Sequence, residues 1–483
     1  MKNFIKIVPV YLLTLFFVFF VKIPHLKAHI QPPSRYIIIE TDGSPDDLRA
    51  ISMLFADNAN QILGIIGSGG AVSAYSSCTK ARNLLFEYAH QGIPVAMGTE
   101  NSSTLPYSHL ASDSVSWGMV APKAKFETAD ELLNRITKHT NYTITLIALG
   151  SMSTYAQWLK KDNKNPKRID RILWYGNFDS SSVLNLAMDK NSAEYIKNSG
   201  IQIECFKNNI FLYPIDTNYI NHLIKIKSVY GQNIVQSHSH YCLQEYISAD
   251  SLHMWSDVIP LYLGVPIIFQ KSTIGNISSL SLSKNLPAEF IYSLVTGILS
   301  EDSPSFGQVF RSESMPEMPF VGEIVAIKEN CIAKNGIMEW ENMVHYTTWH
   351  GYSNINGLLA VKMITRLKEY FDAPGLALEI YISQNSDKEF ANAASLCNGD
   401  FLKTKYLKSK HSESMPPIIY AVFFGTKVMI TLKPELWKRV LHELDELEAK
   451  QSEKQKLEKH KKYFLEKWES LDRNTAFEIL PTK

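Results

Sequence analysis

Four carboxylates lie within eight residues near the start of the chain, directly after an apolar run. The run is Ile37-Ile38-Ile39, and the acidic residues are Glu40, Asp42, Asp46 and Asp47. Like charges at this spacing repel one another and raise each other's pKa, so a cation commonly accompanies them. Hard divalent ions take oxygen ligands, and calcium is the natural choice. The cluster therefore predicts a calcium site.

A structural role is the alternative for two of these residues. Asp46 and Asp47 would suit the N-terminus of a helix that begins at Leu48, because carboxylates stabilise that end of a helix. Capping does not explain why Glu40 and Asp42 lie beside them, so we favour the cation site.

Short apolar runs alternate with helical patterns after residue 35. The runs rich in β-branched residues are Tyr36 to Ile39, Ile62 to Ile66, Ile93 to Ala96, Ile144 to Leu149 and Ile172 to Tyr175. This alternation predicts an α/β fold with a mostly parallel sheet flanked by helices. Ligands collect at the carboxyl ends of strands in such sheets, which is where the carboxylates lie.

Composition excludes several classes of protein. With 45% hydrophobic and 20% charged residues, the chain is not expected to be disordered or to cross a membrane many times. Its net charge of +1 gives no reason to expect a nucleic-acid partner. Five cysteines without a CxxC pair exclude a disulfide scaffold and a cysteine-only zinc site.

The first 30 residues have the pattern of a secretory signal. Lys2 and Lys6 precede an apolar run from Ile7 to Val21, and Ala28 is a small residue near a cleavage point. The run is shorter than the ~20 residues of a spanning helix, so only an uncleaved leader would attach the protein to a membrane. We expect an exported protein, periplasmic or secreted.

A segment rich in Pro and Ser, residues 300–319, predicts a domain boundary. It separates a domain at 35–320 from a smaller α+β domain at 321–483. In the second domain, Ile324 to Ile327 looks like a strand, and Pro434 opens an amphipathic helix that runs through Leu447.

The acidic turn resembles that of the inosine-uridine-preferring nucleoside hydrolases, whose first strand ends in a DxDxxxDD pattern. Three further segments resemble this family in the same order, at residues 64–73, 93–98 and 145–154, the last being similar to its LGPLTN turn. Trp255 to Leu263 resembles the HDPLAVAYL segment. The resemblance spans Tyr36 to Phe320. It implies calcium-dependent hydrolysis of N-glycosidic bonds in nucleosides or related ribosyl compounds, and a homo-oligomer.

Site roles follow from this resemblance residue by residue. Asp42, Asp47, the Ser153 carbonyl and Asp257 would bind calcium. Asp42 would also deprotonate the water that attacks the anomeric carbon of ribose. Asp46 would hold the 2-hydroxyl of the small-molecule substrate.

Other positions depart from the family. Asn185 matches a sugar-binding Asn, but Ala71 replaces a second Asn and Val183 replaces a Glu. Ser256 replaces a His that protonates the leaving base in several members, and Glu40 replaces the first Asp. Either the substrate is a ribosyl compound other than an ordinary nucleoside, or the site binds a ligand, or serves as a scaffold, without efficient turnover.

Three nearby side chains offer substitute contacts. His253 is a candidate acid near neutral pH, and Trp255 and Tyr175 are candidate substrate contacts. The alternative for His253 is a hydrogen-bonded structural role, which is common for a lone His beside an apolar segment.

Residues 344–432 resemble, more weakly, a family named for one of the subunits of formylmethanofuran dehydrogenase. His345, His350 and Cys397 are candidate zinc ligands there, if they converge. The alternatives are a metal-dependent redox module and an accessory domain without metal.

Overall fold

A computed structural model describes most of the chain. The described residues are 33–100, 112–161, 166–178, 184–206, 213–282, 286–300, 321–350, 354–383, 387–407, 415–448 and 453–482. Within these ranges no helix is long and apolar enough to cross a membrane. The predicted leader lies outside the described residues, and so does Val183.

The larger sheet has the strand order β4-β3-β2-β1-β5-β6-β7-β9-β8. Its strands are β1 (Arg35–Thr41), β2 (Asn60–Gly67), β3 (Val95–Met97), β4 (Glu127–Thr128), β5 (Ile144–Ala148), β6 (Ile169–Trp174), β7 (Gln202–Phe206), β8 (Phe269–Ile274) and β9 (Ile277–Leu282). Among these described strands, every pairing is parallel except that of β8 with β9. The predicted parallel sheet is confirmed, and the β8–β9 hairpin extends it.

The helices of this part flank the sheet. They are α1 (Pro45–Ala56), α2 (Ala74–Glu87), α3 (Ala129–His139), α4 (Ser153–Lys161), α5 (Leu184–Met188), α6 (Lys190–Lys197), α7 (Thr217–Leu223), α8 (Val229–His238), α9 (Tyr241–Ser248), α10 (Val258–Gly264) and α11 (Ala288–Leu299).

Strand β1 is buried on both faces. Ile37 and Ile39 pack into one hydrophobic core, and Ile38 packs into a second core on the opposite face, because side chains alternate along a strand. Strand β5 pairs with β1 and ends at the same edge, where the Leu149 amide donates to the Glu40 carbonyl at 2.9 Å. The carboxyl end of β1 is thereby fixed from both sides of the sheet.

A smaller sheet has the order β11-β10-β12-β13-β14, with β10 and β11 parallel and the other pairs antiparallel. Its strands are β10 (Glu379–Ser383), β11 (Thr404–Leu407), β12 (Ile418–Phe423), β13 (Thr426–Leu432) and β14 (Phe477–Pro481). The accompanying helices are α12 (Val321–Asn335), α13 (Ile337–His350), α14 (Ile355–Tyr370), α15 (Lys388–Asn398), α16 (Pro434–Glu448), α17 (Glu453–Ser470) and α18 (Arg473–Ala476). They share a separate hydrophobic core. The predicted second α+β domain is confirmed as a fold.

Two local predictions were wrong. Ile324 to Ile327 belongs to helix α12, where Ile324, Ile327 and Cys331 recur at helical spacing and pack on the core of the smaller domain. A short apolar run fits a buried helix as well as a strand. Helix α1 begins at Pro45 and not at Leu48, so Asp46 and Asp47 belong to its first turn.

The two sheets belong to one compact unit, residues 33–483. Backbone and side-chain hydrogen bonds join the segment after α2 to helix α14. Gly92 donates to the Tyr370 carbonyl at 2.7 Å, and Arg366 donates to the Ala89 carbonyl at 2.9 Å. The boundary predicted at residue 320 adjoins residues outside the described ranges, so it stays a prediction.

Candidate active site

Residues 40–47, which we call the acid loop, connect the carboxyl end of β1 to the first turn of α1. Glu40, Asp42, Asp46 and Asp47 are all buried. Gly43 turns the chain between them with a φ of +79°, a conformation that favours glycine. The N-terminus of α1 stabilises the carboxylates of its first turn. The predicted convergence of four carboxylates at this edge of the sheet is observed.

Asp47 holds the acid loop together. Its Oδ2 accepts hydrogen bonds from Thr41 Oγ1 at 2.8 Å and from the Asp42 amide at 3.1 Å. Its Oδ1 accepts from Ser256 Oγ at 2.7 Å. Both carboxylate oxygens are thus engaged by the protein, and they tie the end of β1 to the segment that precedes α10.

Asp42 lies against the Gly-rich loop after β2. Its Oδ1 accepts from the Ser44 amide at 3.2 Å, and a Cβ on Gly70 would come within 2.5 Å of its Oδ2. Only glycine permits this approach. Burial, and then the charge of Asp46, raises the pKa of Asp42. A carboxylate with a raised pKa is a stronger general base.

Glu40 is a fully buried neighbour of this base. Its Oε1 accepts from Ser68 Oγ. Burial raises the pKa of Glu40 to about 8, the charge of Asp42 adds to this effect, and the Ser68 hydrogen bond opposes it. Glu40 therefore carries its proton at neutral pH and reduces the negative charge of the cluster.

Asp257 forms a two-point ion pair with Arg49 of helix α1. Arg49 Nε donates to Asp257 Oδ1 at 3.0 Å, and Nη2 donates to Oδ2 at 2.8 Å. Both side chains are completely buried. Burial alone would lower the pKa of Arg49, but Asp257 outweighs it and raises the pKa above its usual value.

Two further groups complete the surroundings of Arg49. Its Nη2 also donates to the His253 carbonyl at 3.1 Å, and Nη1 lies 3.2 Å from His238 Nε2. His238 Nδ1 lies 2.8 Å from the Ile234 carbonyl, so Nδ1 carries the proton and Nε2 accepts from Arg49. Burial, and then the charge of Arg49, lowers the pKa of His238 to about 3, which keeps its ring neutral.

Asp46 is joined to the same segment through the Ser256 amide, which donates to its Oδ2 at 3.2 Å. Ser256, in place of the family's His, therefore bonds both acidic residues of the first turn of α1. Because the Ser256 amide occupies Oδ2, Oδ1 is the oxygen of Asp46 that can accept a hydrogen bond from a ligand.

Ser153 and Asn185 both bond to neighbouring protein groups. Ser153 Oγ donates to Asp189 Oδ2 at 2.7 Å, and it lies 2.9 Å from Ser151 Oγ. Asn185 Nδ2 donates to the Leu149 carbonyl at 2.6 Å and to the Tyr175 carbonyl at 2.8 Å. Asn185 thus joins the turns after β5 and β6, and both of its N–H groups are used.

Tyr175, His253 and Trp255 are the aromatic candidates for ligand contacts. The ring of His253 lies 6.0 Å from that of Trp255, tilted by 32°. Burial raises the pKa of Tyr175, and the charges of Asp46 and Asp257 raise it further. The Tyr175 phenol therefore keeps its proton in the field of the carboxylates and can donate a hydrogen bond.

The donor set does not fit calcium as predicted. Carboxylate oxygens are the right ligand type, but those of Asp47 and Asp257 are engaged by the protein. Among the described residues, no group of three or more acidic, His or Cys side chains is arranged to hold a metal ion. The calcium site stays a prediction, and no step of the chemistry below is assigned to it.

The candidate zinc ligands of the smaller domain do not form a site within the described ranges either. Cys397 Sγ donates to the Asn342 carbonyl at 3.8 Å, and burial raises the pKa of Cys397 to about 12. A neutral thiol is a poor ligand. The side chain of His350 lies outside the described part of the structure.

The N-terminal part of the chain matches a known family. Residues 37–264 match the inosine-uridine preferring nucleoside hydrolases. This range contains the acid loop, Arg49 and Asp257. It confirms the resemblance for the N-terminal domain, whereas the resemblance of residues 344–432 to a second family stays a prediction.

Individual relatives are distant. Uridine nucleosidase 1 from Arabidopsis thaliana is 25% identical over 182 residues, which are 35% of this chain and 54% of that protein. The pyrimidine-specific ribonucleoside hydrolase RihA from Shewanella baltica is 24% identical over 185 residues, which are 35% of this chain and 58% of that protein. The chain spans about half the length of these curated relatives.

Among solved structures, the purine-preferring ribonucleoside hydrolase from Gardnerella vaginalis is similar with a TM-score of 0.47 at 16% identity. The alignment covers 55% of this chain and 99% of that one.

Sequence reasoning did not identify Arg49 as part of the site. A signal was present, because Arg49 is a charged residue in the otherwise apolar stretch from Leu48 to Ala56. A charge on the buried face of a helix needs a partner of opposite sign. The partner, Asp257, is 208 positions away, and only the fold shows it.

Proposed function

We propose that the protein hydrolyses N-glycosidic bonds of nucleosides or related ribosyl compounds. The observation that carries this proposal is the buried group Asp42, Asp46, Asp47 and Asp257 at the carboxyl end of β1, within the segment that matches the nucleoside hydrolases. Uridine and other pyrimidine ribonucleosides are the first substrates to test, because the names of the curated relatives point to them.

Asp42 is the base of the proposed reaction. It accepts a proton from the water that attacks the anomeric carbon, and its raised pKa suits this role. Asp46, with one oxygen bonded to the Ser256 amide, holds the 2-hydroxyl. The surrounding negative charge stabilises the positive charge that develops on the sugar as the bond breaks.

His253 is assigned to the leaving group, with Trp255 as the surface on which the base stacks. The two rings are neighbours, and an imidazole is the side chain best suited to proton transfer at neutral pH. Asn185 supports the site by holding the turns after β5 and β6, and its Oδ1 is the atom left for a sugar hydroxyl.

Calcium dependence is the finer part of the sequence prediction. Calcium bound to Asp42, Asp47, the Ser153 carbonyl and Asp257 would fix the ribose diol and orient the water. Because Asp257 is bound by Arg49 and both Asp47 oxygens accept hydrogen bonds, the roles above are assigned without it. The assay is therefore run both with calcium and after chelation.

The proposal is tested by incubating the purified protein with uridine, cytidine, inosine and nicotinamide riboside and measuring free ribose. Asp42→Asn is the test variant, and Asp130→Asn is the matched control, since Asp130 pairs with Lys161 at the surface. We expect release by the wild type and the control, and a loss of roughly 100-fold or more in Asp42→Asn. Equal rates in all three proteins would exclude Asp42 as the base.

A binding protein without turnover is the second candidate function. The replacement of the proton-donating His by Ser256, whose hydroxyl is bonded to Asp47, favours it. Saturable binding of a nucleoside by calorimetry, with no ribose released by the wild type, would establish this function and exclude the first.

Export and self-association complete the proposal. The mature N-terminus of the protein, determined by mass spectrometry after expression with residues 1–30, tests whether the leader is removed. Light scattering tests the oligomer. An N-terminus at Met1 in protein recovered only from the cytoplasm would contradict export.

A further inference from the structure

Arg49 places a permanent positive charge inside the site, at the residue expected to bind a metal. We infer that the Arg49 guanidinium is the counter-charge of Asp257 in place of a metal ion, so that Asp257 is not a metal ligand in this protein. The inference goes beyond the proposed hydrolysis and does not depend on it, because it concerns which cation neutralises Asp257.

The geometry of the pair supports this inference. Two parallel N–H donors, Nε and Nη2, meet the two oxygens of one carboxylate at 3.0 and 2.8 Å. Arginine and carboxylate form their strongest contact in this arrangement. The side chains are completely buried, so water does not compete with it.

The surroundings are built to keep the guanidinium in place. The His253 carbonyl accepts from Nη2, and the neutral His238 ring accepts from Nη1. His238 is itself fixed by its bond to the Ile234 carbonyl. Helix α1, helix α8 and the segment before α10 thus all contribute to holding one side chain.

Charge explains why a metal ion at Asp257 is excluded. An ion bound at about 2.4 Å from either oxygen would lie close to the guanidinium, and the two positive charges would repel. Arginine cannot relieve this repulsion by losing its proton. Moving Arg49 away would leave its charge buried without a partner, which is strongly unfavourable.

The inference is tested by calorimetric titration of the chelator-treated, full-length protein with calcium chloride. The variants are Asp257→Asn and Arg49→Met, with Arg171→Met as the control, because Arg171 pairs with Glu204 and that carboxylate keeps Lys271 as a second partner. We expect calcium affinity to be absent or unchanged when Asp257 is replaced, and to rise roughly 10-fold or more in Arg49→Met, where Asp257 is free. A loss of calcium affinity of that size in folded Asp257→Asn would overturn the inference.

A second measurement uses the wild type alone, in case either variant fails to fold. Crystals of the full protein are soaked in manganese chloride, and anomalous scattering locates the ion. No manganese at bonding distance from Asp257, with Arg49 still paired, supports the inference. Manganese bonded to an Asp257 oxygen contradicts it. Neither experiment reads turnover, so a failure of the proposed hydrolysis is distinguished from a failure of this inference.

Discussion

Arg49 and Asp257 form a buried two-point ion pair across 208 positions of the chain. The pair joins helix α1, which carries Asp46 and Asp47, to the residue that precedes helix α10. Because Ser256 binds both of those acidic residues as well, the acid loop and the segment around Asp257 are held in register before any ligand arrives. The site is therefore preorganised by protein groups.

Replacing Arg49 by Met tests how much the pair contributes to stability. The change leaves Asp257 buried without its cation, and breaking a buried pair from one side costs about 3–5 kcal/mol. We expect the free energy of unfolding in urea to fall by that amount. The double variant Arg49→Met/Asp257→Leu should recover most of it, because no buried charge remains. A cost below ~1 kcal/mol for the single variant would show that the pair is not formed.

Replacing Ser256 by Ala tests the bond between the acid loop and the segment before α10. Asp47 Oδ1 loses its donor, and an unsatisfied buried acceptor costs about 1–3 kcal/mol. Thermal unfolding measures the difference. Ser239→Ala is the matched control, since its hydroxyl bonds a nearby helix carbonyl at the surface and its loss should change stability little. Equal effects of the two changes would contradict the assigned role of Ser256.

Lys368 of helix α14 provides a pH test of the smaller domain. Burial lowers the pKa of Lys368 to about 8, against an ordinary value of 10.5. A lowered pKa in the folded state means that the wild type loses stability as the pH falls from 10.5 through 8. At about pH 7 the full penalty of about 3 kcal/mol applies.

We therefore expect Lys368→Met to be more stable than the wild type at about pH 7, and the difference to shrink between pH 8 and 10.5. Denaturant unfolding across this range measures it. The exposed Lys388→Met serves as the control and should show no such trend. A difference that is constant with pH would contradict the buried, charged state of Lys368.

The sheet and the acid loop could be predicted from the sequence because their signals are local. The run Ile37 to Ile39, buried on both faces, and the carboxylates that follow it specify a strand and its functional end. The strand predicted at Ile324 to Ile327 was wrong because a short apolar run does not distinguish a strand from a buried helix. His345 and Cys397 were plausible ligands by type, but convergence is a property of the fold.

Arg49 could not be placed for a related reason. Its charge was visible in an apolar helix, but its partners His238, His253 and Asp257 come from distant segments that the fold brings together. A pattern within one helix shows that a buried charge needs a partner and does not show which one. The contacts of Asn185 with two turn carbonyls were hidden in the same way.

The most direct test of the central claim is the rate of ribose release from uridine by the wild type and by Asp42→Asn, measured side by side at neutral pH. Asn is close to Asp in size and removes the base, so folding should be preserved while catalysis is lost. The account predicts turnover by the wild type and a rate at least roughly 100-fold lower in the variant. Ribose release at the same rate by both proteins would contradict it.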